Sequence, residues 1–188
     1  MAMHLTMLIR AQTGHRYWAG AWLGLAALLG LIISSTVPAS ALDKPAGKVI
    51  LTVTGEVSQK NSGEGAQFDR HMLSSLPQHT VRTETPWTDG LCAFEGPLLR
   101  DVLKETGASG GRLVAIAHND YSINIPTHDA MDNDVILALR KDGAVLTLRE
   151  RGPVWIIYPW SDHPALKAED IYARAVWQLK AIRVEHAN

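Results

Sequence analysis

The sequence predicts an α+β domain of mixed, mainly antiparallel sheets with few short helices. Three observations carry that expectation. Segments with strand character, such as Val49-Ile50-Leu51-Thr52-Val53-Thr54, outnumber those with helical spacing. Strands and helices do not alternate regularly, which argues against a doubly wound parallel sheet. Lys141-Asp142-Gly143, between two apolar runs, reads as a hairpin turn, and hairpins join antiparallel neighbours.

The elements follow in chain order. A strand over Val49–Thr54 ends at Gly55, and Ser58–Gly65 is a polar loop. Phe68, Met72, Leu73 and Leu76 stand at helical spacing, and Pro77 ends that helix. Val81–Gly96, holding Pro86, Trp87, Gly90 and Cys92, reads as irregular. Pro97 suits the first turn of a helix with Leu98, Leu99, Val102 and Leu103 facing inward and Gly107 as its stop. Leu113–Ala117 and Tyr121–Ile125 read as strands around Asn119-Asp120, and Thr127–Asp132 as a turn or short helix. Asp134–Arg140 and Val145–Arg149 flank the hairpin turn as strands. Val154–Tyr158 is a short apolar run between Pro153 and Pro159; Leu166–Ala173 reads as helical and Val176–Val184 as extended.

Residues 1–41 read as a secretory signal peptide. Arg10 and Arg16 precede an apolar run from Tyr17 to Ile33, and Pro38 with Ala39-Ser40-Ala41 fits a signal-peptidase site. An uncleaved N-terminal anchor is the alternative, although the run is slightly short for a span of about 18–20 residues. Either reading delivers a domain over residues 42–188 to the periplasm, or outside the cytoplasm more generally. Any membrane contact then runs only through the N-terminal segment. Arg10 and Arg16 are separated, so they form no twin-arginine pair.

Without residues 1–41, sixteen basic residues stand against nineteen acidic ones. A mildly acidic domain without a basic stripe argues against nucleic-acid binding. The remaining length is ordinary for one domain with its own core. Cys92 is the one cysteine, so it has no internal disulfide partner; it is either buried and inert or a reactive thiol.

Four segments, in order, resemble the sulfite-oxidase-type molybdopterin-binding domain. Phe94-Glu95-Gly96-Pro97-Leu98-Leu99-Arg100-Asp101-Val102-Leu103 resembles its "f-x-G-v-x-L-x-x-l-L" helix. Asn119-Asp120-Tyr121-Ser122-Ile123-Asn124-Ile125-Pro126 resembles "ndY-x-v-x-i-P", and Gly152-Pro153-Val154-Trp155-Ile156-Ile157-Tyr158-Pro159 resembles "G-P-l-r-l-v-y-P". Trp177–Val184 resembles the closing "k-x-i-x-x-I-x-v" strand. The chain is most similar to short, exported proteobacterial members of that superfamily. The resemblance implies the sulfite-oxidase fold.

A fold does not fix an activity. In catalytic relatives a cysteine thiolate just before the Trp and Gly-x-x-L segments binds molybdenum. Here that place reads Val81-Arg82-Thr83-Glu84, and Cys92, ten residues beyond Arg82, is the only metal-ligand candidate. A soft metal centre needs a thiolate at a fixed position, which a hydroxyl does not replace. The family's strand arginine reads Trp155, and its phosphate-contacting Gly-x-Lys run is replaced by Arg174-Ala175-Val176-Trp177. Arg174 is therefore a candidate phosphate cation, or a solvated arginine at a strand edge.

The other polar clusters point to less. His118-Asn119-Asp120 would suit a metal or acid–base site, but such a cluster between strands is more often a turn, with Asn and Asp bonding their own backbone. Asp129, Asp132 and Asp134 lack calcium-loop spacing, and His71, His79, His128 and His163 lack ligand spacing. No G-x-S-x-G, H-E-x-x-H, Walker or dinucleotide motif occurs. Trp87, Trp155, Tyr158 and Trp160 are candidates to line one pocket, or simply core. The expected function is an exported small-ligand or partner-binding module with no cofactor, its contacts drawn from Trp87, Cys92, Trp155 and Arg174. The alternative is a periplasmic molybdopterin-dependent oxidoreductase with a non-standard ligand set.

Overall fold

Strand pairing begins a few residues into the computed structural model, which describes residues 42–186. The expected leader over residues 1–41 lies outside the described residues. Five strands form the largest sheet: β1 (Val49–Gly55), β2 (Ala66–Asp69), β5 (Arg112–Ala117), β6 (Ser122–Pro126) and β11 (Leu179–Glu185). Their order is β2-β1-β11-β5-β6, and only β1 with β11 is parallel. A four-stranded antiparallel sheet runs β3 (Gln78–Glu84), β4 (Leu91–Pro97), β8 (Arg140–Lys141) and β9 (Ala144–Val145). β7 (Ile136–Ala138) pairs antiparallel with β10 (Trp155–Ile157). Helices are short: α1 (Arg70–Ser75), α2 (Leu99–Glu105), α3 (Thr127–Asp132) and α4 (Glu169–Ala173). The expected α+β class, with mainly antiparallel sheets, is the one observed.

The core is continuous through these sheets. Leu51 and Val53 of β1, Leu113 and Ala115 of β5, and Ile182 and Val184 of β11 are buried together. α2 buries Leu99, Val102 and Leu103, as its spacing requires, and Gly107 (φ 58°) lies just past its end. Gly96 is needed for a different reason: a Cβ there would overlap the Leu137 carbonyl, so glycine lets β4 approach β7. Asp142 and Gly143 both have positive φ, which fits the tight hairpin between β8 and β9.

Several expectations need correction. Residues 81–96 are not irregular: they hold most of β3 and β4, joined by a turn around Trp87. Only Val81 and Thr83 of β3 face inward, so its polar outer face hides the strand pattern. The helical spacing from Phe68 spans a junction: Phe68 lies in β2, and Asp69, the last residue of that strand, caps α1 by accepting from Met72 N–H. Pro97 closes β4, and the helix begins at Leu99. Asp134–Arg140 is not one strand, because β7 and β8 split it. The return strand stops at Val145, and Leu148–Glu150 is a 3-10 turn held by a Thr147–Glu150 capping box. Leu166–Ala173 divides between a 3-10 turn at Pro164–Leu166 and α4. The extended stretch expected from Val176 begins as a strand only at Leu179.

Candidate functional site: an aromatic pocket

Trp87 is the centre of the site, and the turn before it sets its position. Trp87 N–H donates to Thr85 Oγ1 at 3.2 Å, and the Thr85 and Thr88 hydroxyls bond at 2.8 Å. From that turn the indole meets four other rings. Its centroid lies 6.1 Å from Trp155, 6.4 Å from Trp160, 6.3 Å from Tyr172 and 5.3 Å from Trp177. These separations and tilts are those of favourable aromatic pairs. Trp155, Tyr158 and Trp160 are fully buried, whereas Trp87 is half-buried and Trp177 is 36% exposed.

Over this cluster lies a pocket of about 260 Å³, lined by Trp87, Asn119, Tyr121, Tyr172, Ala175 and Trp177 among others. Its polar edge is sparse. Asn119 Oδ1 accepts from Tyr121 N–H, and the Tyr121 hydroxyl donates to the Ala173 carbonyl at 3.2 Å. The expected aromatic convergence is therefore divided. Trp87 lines the pocket, while Trp155, Tyr158 and Trp160 form its underlying support. Trp155 Nε1 donates to the Ala175 carbonyl at 3.2 Å, tying β10 to the pocket wall. Trp160 Nε1 is buried without a partner among the described residues.

A cation missed in the sequence stands beside this cluster. The Arg151 guanidinium lies 5.4 Å from the Trp155 ring centre and 5.9 Å from that of Trp177. Both distances are within cation–π range. Arg151 adopts a left-handed conformation (φ 68°) after the 3-10 turn, and its carbonyl accepts from Gln178 N–H. No local pattern marks Arg151 in the sequence; it is the fold that sets its guanidinium against the two indoles.

Arg174 is neither a solvated edge arginine nor an open phosphate cation. Its Nη1 donates to Asp129 Oδ2 at 2.8 Å and its Nη2 to Asp170 Oδ2 at 2.6 Å. The Tyr158 hydroxyl donates to the same Asp129 oxygen at 2.8 Å. Burial alone would pull the Arg174 guanidinium down, but the hydrogen bond and charge of Asp129 outweigh it and hold Arg174 protonated. Burial first, and then Asp129, push the Tyr158 hydroxyl above its ordinary range. The unit ties α3 and α4 to the end of β10.

Cys92 does not reach the pocket. It is the cross-strand partner of Thr83 on the inward face of the β3–β4 pair, and is 5% exposed. Its thiol lies 3.8 Å from the Asp89 carbonyl and 3.9 Å from that of Gly90, at the weak end of sulfur hydrogen bonding. Thr83, in the segment where the resemblance puts a thiolate, is fully buried. Its Oγ1 bonds the Ser161 hydroxyl at 3.3 Å and accepts from Ser161 N–H at 3.1 Å. Among the described residues, no three His, Cys, Asp or Glu side chains come together as a possible metal site. His118, Asn119 and Asp120 form the expected turn, with Asp120 at φ 64° and paired with Lys180.

Comparison with known proteins agrees with the architecture. No curated protein matches the chain. Among solved structures the fold is similar to that in "Crystal Structure of the Sulfane Dehydrogenase SoxCD from Paracoccus pantotrophus", with a TM-score of 0.54 at 20% identity. That match covers 73% of this chain and 38% of the other, so this chain corresponds to well under half of its length. At that identity the likeness establishes the fold alone. The family described as "Oxidoreductase molybdopterin binding domain" matches residues 45–162, well over half of the sequence. The chain belongs to the oxidoreductase molybdopterin binding domain family.

Proposed function

We propose that this protein is an exported ligand-binding module on the molybdopterin-binding fold, with an aromatic pocket as its binding site. The observation that carries the reading is the position of Trp87, whose indole fills the space between Trp155, Trp160, Tyr172 and Trp177. Molybdopterin fits these residues poorly. By resemblance to catalytic relatives its metal would take a protein thiolate, yet the thiol of Cys92 is sealed against backbone carbonyls and Thr83 is committed to Ser161. Its phosphate requires an available cation, yet Arg174 is paired twice and Arg151 is packed against two indoles. Drug-sized ligands occupy roughly 300–1,000 Å³; a pocket of about 260 Å³ suits something smaller, flat and mostly apolar.

Titration with indole, followed by amide and side-chain chemical shifts, tests the proposal. Shifts should fall on Asn119, Tyr121, Tyr172 and Trp177, and Trp87→Ala should weaken them. Indole shifts scattered over the surface would refute it. Family membership favours a second reading, a molybdopterin-dependent oxidoreductase with a non-standard ligand set. That reading requires bound molybdenum and a substrate-dependent redox signal.

A further inference from the structure

A second cavity, of about 700 Å³, shares no lining residue with the aromatic pocket. It lies between residues 46–50, the start of α1, His118 and the stretch from Val145 to Leu148. Seven large apolar side chains are exposed among the described residues, and three of them, Val49, Val145 and Leu148, border this cavity. Exposed apolar surface gathered in one groove marks a binding site more often than chance placement does.

The charges in the groove are unbalanced. Lys48 and Arg70 line it, and among the described residues neither forms an ion pair. The half-buried Arg70 guanidinium meets only the Leu139 and Leu146 carbonyls, at 3.3 and 3.5 Å. Burial first, and then the nearby Arg140, pull its pKa down. The one carboxylate lining the groove, Asp69, is taken up by backbone: it accepts from Gly47 N–H at 2.7 Å and Met72 N–H at 2.9 Å. A partly desolvated guanidinium without a counter-ion is unfavourable, and an anionic ligand would supply the missing partner.

We propose that this groove binds an amphipathic anion, its acidic head on Arg70 and Lys48 and its apolar body along Val49, Val145 and Leu148. Octanoate is the probe, octan-1-ol its neutral control, and phosphatidylglycerol vesicles the lipid-surface control. Octanoate should saturate one site, with amide shifts confined to residues 47–50, Arg70 and 145–148. Octan-1-ol should bind at least about tenfold more weakly, and Arg70→Leu should cost octanoate a similar factor, since each removes a charge-assisted contact. Leu148→Glu changes an exposed side chain, so it should fold normally and abolish octanoate binding by repulsion. Equal binding of octan-1-ol, unchanged affinity in both variants, or shifts centred on residues 173–177 would overturn the proposal. So would vesicle binding without any octanoate response, which would make the groove a membrane contact.

Discussion

Replacing Arg174 with methionine asks whether this cation belongs to the fold or to a ligand. The substitution keeps an unbranched, largely apolar stem, stops short of the guanidinium and removes both ion pairs. What it leaves is decisive: Asp129, its side chain only 8% exposed, retains the Tyr158 hydroxyl but loses its guanidinium. Stranding one partner of a buried pair costs about 3–5 kcal/mol. Arg174 is 18% exposed, so some solvent screening lowers that figure. The Asp170 pair adds little, because Asp170 is 66% exposed and surface pairs contribute about 0–1 kcal/mol. A net loss of about 2–4 kcal/mol follows. Urea unfolding followed by tryptophan fluorescence measures it, and in a domain of this size it corresponds to a Tm drop of roughly 4–16 °C. Asp129→Asn in the Arg174→Met background should recover part of the loss, because the stranded carboxylate is gone. A loss under about 0.5 kcal/mol, as for an exposed surface change, would refute the structural role. It would return Arg174 to the set of ligand cations.

Three further outcomes are expected. Leu103→Ala, at a side chain 1% exposed, should cost about 2–5 kcal/mol in the same urea assay; a cost near zero would mean that the α2 face is misassigned. Because the Tyr158 hydroxyl is raised in the folded state, the unfolded chain ionises first, near pH 10. Its contribution is complete below that pH, so stability should fall as pH rises beyond it, and Tyr158→Phe should flatten that alkaline limb in pH-dependent melting. If residues 1–41 are a cleaved leader, intact mass of the protein recovered from the periplasm should correspond to a chain beginning at Leu42, and full-length mass in the membrane fraction would contradict cleavage.

Where one element's residues carry a complete pattern, the sequence was sufficient. β1, the α2 face with Gly107, the Asp142-Gly143 turn and the paired strands β5 and β6 were all legible in this way. β3 was not, since five of its seven residues face outward and are polar, and the turn residues Pro86 and Gly90 dominate its neighbourhood. The capping box of Thr147 and Glu150 was readable as S/T-x-x-E and would have ended the return strand early. The site depended on long-range register, which local pattern does not contain. Cys92 faces Thr83 only because β3 and β4 pair in that register. Asp129 reaches Arg174 across forty-five residues of chain. Trp87 and Trp155 were singled out from type and position alone and do meet, whereas Arg151 became visible only once its two indole neighbours were placed.

A structural Cys92 thiol and a pocket that binds without metal are the proposals most open to direct test. Elemental analysis of protein purified from a host that makes the molybdenum cofactor tests this most directly, with Cys92→Ser measured in parallel. Molybdenum should stand well below one atom per chain and be unchanged by the substitution. Near-stoichiometric molybdenum that disappears in Cys92→Ser would contradict it and make the chain an oxidoreductase with Cys92 as its metal ligand.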